Sequence, residues 1–351
     1  MAQRYLLSID GGGLRGILPA SALVQLERQT GRPARESFSF VAGTSTGAII
    51  AAAIGAGIPA ERILDLYLKR AQEVFPQRPW NILKRIVFGS MYSTRNLYRV
   101  LADELGPARA WTLNDSPIDL LITAKRVSDG MPWYFVRDKP TNSHCTGRLG
   151  LADCITASSA APTYFQPWTI REDPATRPPG CDPVGALVDG GVGVAGNPVY
   201  QACVEAFFYS PDYRPEETTV ISLGTGRFTA PQHPTWIWSW LQWVLGELLR
   251  SPGEQQTELV RRHFRELVFY RLDPDLKSLD PTLKEDIPLD DVGSVDRLRD
   301  LGERFAAQID WNALLAGTEQ RFRVGDHNTL WYQYSRVGGP AARPGPAKSR
   351  P

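Results

Sequence analysis

Apolar and polar positions along this chain switch repeatedly between a short extended rhythm and a helical one. Tyr5-Leu6-Leu7-Ser8-Ile9-Asp10 is a brief apolar run that stops at a glycine cluster. From Ile17 to Arg28 the apolar residues then fall at helical spacing: Ile17, Leu18, Ala20, Leu23 and Leu26. The opening therefore predicts strand, glycine turn, helix. A second such unit follows, with a strand at Phe38–Ala42, a turn over Gly43–Gly47 and a small-residue helix from Ala48 to Ile54. Pro59 sits at the start of a helix expected to run to about Val74. Further along, the pattern predicts helices at Asn96–Leu105, Leu151–Ala160, from Pro198 (capped by Asn197), 254–266 and near 295–308. Strands are expected at Leu120–Arg126, Trp133–Arg137, Ala186–Val188, Thr218–Leu223 and 267–272. Strands alternating with helices argue for an α/β fold, a mostly parallel central sheet covered by helices on both faces. No internal repeat or long linker divides the chain, so one domain is expected over 1–337. The tail 338–351, with four prolines, should be disordered.

Composition narrows the class without choosing a function. Hydrophobic residues make up 42% and charged residues 22% of the 351 residues, enough for a large core. A net charge of +1 creates no global field that would attract nucleic acid. The cysteines, Cys145, Cys154, Cys181 and Cys203, have no metal-site or redox-motif spacing. No secretory leader is legible at Met1–Tyr5, which reads as an intracellular, cytoplasmic protein with free thiols. No apolar stretch reaches the ~18–20 residues that a membrane-spanning helix needs.

Three motifs carry candidate chemistry. Asp10-Gly11-Gly12-Gly13-Leu14-Arg15-Gly16 follows a strand and opens a helix, and it satisfies the G-x-G-x-x-G dinucleotide pattern. That pattern also wants an acid after the second strand, where Gly43-Thr44-Ser45 stands instead. Glycines at a helix N-terminus can also aim backbone amides at an oxyanion or a phosphate, with Arg15 adding charge nearby. A purely steric turn is the plainer alternative. Gly43-Thr44-Ser45-Thr46-Gly47 matches G-x-S-x-G between an apolar strand and a small-residue helix, the setting of a serine nucleophile. An ordinary glycine turn with a capping serine would look the same. A nucleophilic serine needs a base. His144, His233, His263 and His327 all lie in polar loops, turns or a charged helix. Asp189-Gly190-Gly191, by contrast, puts a carboxylate at the end of an apolar strand, where ligands collect in α/β folds. A local Asx turn remains its structural alternative.

Taken in order, these three motifs resemble the patatin-like phospholipase family. The segments 157–165 (Ala157-Ser158-Ser159-Ala160-Ala161-Pro162-Thr163-Tyr164-Phe165), Asn197-Pro198 and Ser222–Gly226 are similar to it as well. Beyond 226 the resemblance thins to Leu289-Asp290-Asp291 and the helix after it. The resemblance implies a three-layer α/β/α patatin-like fold and a Ser–Asp dyad. Ser45 would attack the acyl ester, and Asp189 would accept its proton. The amides of Gly11, Gly12 and Gly13 would hold the oxyanion, with Arg15 supporting that loop or a phosphate. No metal and no cofactor are implied, and the substrate is a fatty acyl ester of a phospholipid or related lipid.

Two stretches bear on how such a substrate is reached. Trp236, Trp238, Trp240 and Trp243 fall on one short amphipathic segment within 235–250, and 80–92 mixes basic and apolar residues. Both suit a peripheral membrane surface. A core helix or a homo-oligomer contact accounts for the same pattern. Two further functions remain open on the residues alone. One is an esterase using a Ser-His-Asp triad. The other is a nucleotide-binding or signalling module built on the glycine loop. The family resemblance implies one regulated variant besides, a phospholipase effector switched on by cyclic nucleotides, for which the sequence shows no pocket.

Overall fold

The computed structural model describes residues 3–77, 89–141, 145–172, 177–193, 195–228, 240 and 253–324. The strands are β1 (Arg4–Ile9), β2 (Phe40–Thr44), β3 (Asp119–Arg126), β4 (Pro132–Val136), β5 (Trp168–Ile170), β6 (Gly185–Asp189), β7 (Thr218–Leu223) and β8 (Val268–Leu272). The helices used below are α1 (Ile17–Thr30), α2 (Thr46–Gly55), α3 (Ala60–Val74), α4 (Thr94–Leu105), α5 (Leu151–Ser158), α6 (Val199–Phe208), α7 (253–263), α8 (Val295–Ala306) and α9 (Trp311–Leu315). All eight strands join one sheet in the order β5-β6-β3-β2-β1-β7-β8, with β4 on the far side of β3. β3, β2, β1, β7 and β8 are parallel, whereas β4, β5 and β6 run antiparallel to their neighbours. The expected mostly parallel α/β sheet is thus present, with an antiparallel extension. The three-residue β5 is too short to leave an alternating pattern in the sequence.

Side-chain alternation sorts the strands between two cores. Leu7 and Ile9 of β1 pack with α1, α2 and the helices beside them. Leu6 of β1, Phe40 and Ala42 of β2, Val220 of β7 and Phe269 of β8 pack with α6 and α7 on the opposite face. Every residue of β2 is buried, as a central strand with both faces covered requires. The C-terminal segment closes over the first layer. A Cβ on Gly302 of α8 would lie 2.5 Å from Ser21 Oγ of α1, so these helices approach closely. Trp311 is fully buried, and its indole N–H donates to the Ala22 carbonyl at 2.9 Å.

One expectation is corrected. Cys145 and Cys181 form a disulfide with a Cα–Cα distance of 5.8 Å, while Cys154 and Cys203 are free and buried. The pairing joins the β4–α5 and β5–β6 connections, which the antiparallel strands bring together. A separation of 36 residues carries no local signal of that. The expectation of four free thiols is thereby overturned, and the intracellular reading loses the part of its support that rested on them. Among the described residues no helix is long and apolar enough to cross a membrane. Trp236, Trp238 and Trp243, most of 80–92 and the tail 338–351 lie outside the described residues.

Candidate active site

β2 delivers Ser45 to a turn that only close packing can hold. Ser45 has φ 55° and ψ −120°, a left-handed conformation that non-glycine residues rarely adopt. The flanking glycines make the turn sterically feasible. A Cβ on Gly43 would lie 2.1 Å from the Gly47 carbonyl oxygen, and one on Gly47 would lie 2.1 Å from the Ile9 carbonyl oxygen. α2 starts at the next residue, Thr46. The Ser45 amide donates to Ser158 Oγ at 2.9 Å, so the end of α5 braces the turn.

β3 explains why Asp189 meets this serine. Thr44, the last residue of β2, pairs with Thr123 of β3, and Asp189, the last of β6, pairs with Ala124. β2 and β6 therefore occupy consecutive rungs of the same strand edge, approaching from opposite directions. Asp189 Oδ1 accepts the Gly191 amide at 2.7 Å, and the Ser45 side chain is close enough to act on the same carboxyl. The Asp189 amide donates to the Ala160 carbonyl at 3.1 Å. The last residue of α5 and the residues just after it thus steady both Ser45 and Asp189. Asp189 is 2% exposed. Burial pushes its carboxyl up to about 6, against the opposing pull of the Ser45 side chain and the Gly191 amide.

The glycine loop lies against the serine turn: a Cβ on Gly11 would be 3.4 Å from Ser45 Cβ. Its donors are not equivalent. The Gly11 amide already donates to the Gly196 carbonyl at 2.9 Å. Gly12 and Gly13 have no hydrogen-bond acceptor for their amides among the described residues. Gly13 has φ 55°, and a Cβ there would meet the Leu289 carbonyl oxygen at 2.4 Å. Leu289 O also accepts the Leu14 amide at 2.8 Å, which presses the Leu289-Asp290-Asp291 segment onto the loop. Of the three amides expected to face the site, the Gly11 amide is thus already engaged. Arg15 faces elsewhere: its Nη1 donates to Asp286 Oδ1 at 3.1 Å and to the Gly226 carbonyl at 3.4 Å. Its guanidinium anchors the loop to the C-terminal segment.

Residues not singled out in the sequence complete the surroundings. Arg271 of β8 forms a bidentate pair with Asp10, at 3.0 and 2.6 Å, directly before the glycine loop. The legible signal was a lone arginine in the apolar strand Val268–Leu272, followed by Asp273. Among the histidines, only His263 is described. It is exposed at the end of α7, where Nδ1 meets the Tyr200 hydroxyl at 2.8 Å. His144, His233 and His327 lie outside the described residues.

Comparison with known proteins identifies the family. A family model, Patatin-like phospholipase, matches residues 7–203. The chain is similar to a cGAMP-activated phospholipase of Vibrio cholerae, 29% identical over 242 residues, 64% of this chain and 64% of that one. It is similar to Patatin-like protein 2 of Oryza sativa subsp. indica, 30% identical over 276 residues, 67% of this chain and 65% of that one. Among solved structures, VipD from Legionella pneumophila aligns over 91% of this chain and 68% of that chain, at 14% identity and a TM-score of 0.42. The chain spans less than two thirds of the length of these two curated relatives. With more than half of its residues matched by the family model, the chain belongs to the patatin-like phospholipase family.

Proposed function

We propose that the chain is a serine lipid acyl hydrolase that cleaves fatty acyl esters of phospholipids or related lipids through a Ser45–Asp189 dyad and an acyl-enzyme. The observation that carries this reading is the meeting of a buried carboxylate, Asp189, with Ser45 at a turn where Ser45 has positive φ, the two strands that end there occupying consecutive rungs of β3. A carboxylate raised to about 6 is a better base at neutral pH than an ordinary one, yet it is still ionised there. Ser45 Oγ attacks the ester carbonyl as its proton passes to Asp189. Charge developing on the carbonyl oxygen is met by the Gly12 and Gly13 amides at the head of a helical turn. Asp189 returns the proton to the departing alcohol. It then takes a proton from the water that attacks the acyl-enzyme, and the fatty acid and free Ser45 are restored.

The same reading treats 1–337 as one catalytic domain, supported by the single sheet and by the packing of α8 and α9 onto α1. It places the encounter with substrate at a lipid–water surface, because esters of this class reside there. The test is labelling of the full chain with a fluorophosphonate probe, peptide mapping and a lipid-panel assay. The assay is run with and without cGAMP, the activator named in the bacterial relative. The adduct is expected on the peptide containing Ser45, with fatty-acid release falling about ten-thousand-fold in Ser45→Ala. An adduct on another serine, or undiminished release in that variant, overturns the assignment.

A further inference from the structure

On the sheet face that meets α6 and α7, the strands change character along their length. β1 presents Leu6 and then Ser8, with Asp10 just past its end. β7 presents Val220 and then Ser222, and β8 presents Phe269, then Arg271, with Asp273 just beyond. Ser8, Ser222 and Arg271 lie side by side in register. The apolar half of each strand builds the core, and the polar half gathers beneath the glycine loop. There Arg271 donates to Ser222 Oγ at 2.8 Å, to Asp10 Oδ1 at 3.0 Å, to Asp10 Oδ2 at 2.6 Å and to Asp273 Oδ2 at 3.2 Å. Asp273 Oδ1 accepts the Gly226 amide at 3.1 Å. One guanidinium thus links the ends of three parallel strands.

Asp10 is the hinge between this network and the serine turn. Its carbonyl oxygen sits so close to Gly47 that a Cβ there would be 2.8 Å away. Its chain continues directly into Gly11, Gly12 and Gly13. Thr225 Oγ1, from the loop after β7, donates to the Gly11 carbonyl at 2.8 Å, and Thr225 fills the space beside Gly12.

We propose that Arg271 is a positioning residue: by clamping Asp10 it sets where the Gly12 and Gly13 amides stand relative to Ser45. The inference rests on the hydrolase reading and adds to it a residue outside the region matched by the family model. Removing the guanidinium leaves a buried carboxyl that must take a proton or draw in water, and either way the clamp that fixes the Asp10 backbone is gone. A displacement of ~1 Å costs on the order of a hundredfold in rate. Lysine supplies a charge but not the two-pronged geometry, so it should recover only part of the effect.

The experiment compares Arg271→Lys, Arg271→Met and the double variant Asp10→Asn/Arg271→Met in the full chain. It reads the thermal midpoint, kcat and KM on a soluble short-chain p-nitrophenyl ester, and amide hydrogen exchange in the peptide spanning 10–16. Arg271→Met should lose roughly a hundredfold in kcat with KM changed by no more than about twofold, and exchange in the loop should quicken. The double variant, which buries no lone charge, should regain the thermal midpoint without regaining kcat. Recovery of kcat together with the midpoint would reduce Arg271 to a structural role and overturn the proposal. Wild-type exchange in the loop of Arg271→Lys and of the double variant would overturn it too, and these two variants decide the matter if Arg271→Met does not fold. A wild-type chain inert toward both the ester and the fluorophosphonate would instead defeat the hydrolase reading. Loop exchange would then still decide whether Arg271 positions the glycines.

Discussion

Asp189 shows what burial does to a single group. The raised carboxyl leaves a definite trace in the pH profile. In the proposed mechanism Asp189 must be ionised in the free protein to accept a proton, so kcat/KM should rise with pH and level off above about 6. On the proposed mechanism, activity should be lost on acidification as that carboxylate is protonated. An ordinary exposed aspartate would place the limb near ~3.9. A pH–rate profile on a soluble ester checks this, and an ascending limb near 4 would mean that the carboxylate acting as base is not buried as Asp189 is. At this scale the candidates were readable as residue types in sequence, because Asp after an apolar strand and Ser within G-x-S-x-G each carry a local signature. The inequality among the three glycine amides was not readable. It depends on Gly196, whose carbonyl accepts the Gly11 amide from 185 positions away.

The serine turn works as an element through backbone proximity. Gly47 lies against the carbonyls of Ile9 and Asp10, and neither can yield as a flexible side chain would. Gly47→Ala should therefore destabilise the fold by about 3 kcal/mol or more, since overpacking against fixed backbone has no cheap relief. Urea unfolding measures it, and a change under about 0.5 kcal/mol would show that α2 does not sit where its contact with β1 requires. Element types and most boundaries followed from periodicity: α1, α3, α4, β3 and β7 stand within a few residues of their expected spans. β2 starts two residues later than its apolar run, because pairing with β1 and β3 decides where the ladder begins. β5 escaped notice because three residues hold too few alternations to be seen.

Across the whole molecule, connections distant in sequence close the site's surroundings. The Cys145–Cys181 bond ties the β4–α5 connection to the one before β6, the strand that carries Asp189. Denatured without reductant, the chain should titrate two thiols of its four cysteines. A Cys145→Ser/Cys181→Ser variant should lose about 3–4 kcal/mol, the entropy of closing a loop of that length. Four titratable thiols would remove the cross-link from the native protein. The segment past the matched region is likewise integrated: α8 and α9 pack on α1, and Leu289 and Asp286 hold the glycine loop.

By itself the sequence determined the alternation of strand and helix, the glycine turns that interrupt it and the residue types at the candidate site, because each is written in spacing over a few positions. Only the tertiary structure decided that β6 turns back to abut β2 on one edge of β3, that two glycine amides rather than three lack an acceptor among the described residues, that Arg271 stands under Asp10, and that two cysteines pair. Each of those depends on side chains and carbonyls brought together from distant parts of the chain by burial of both sheet faces, and local periodicity holds no information about such meetings.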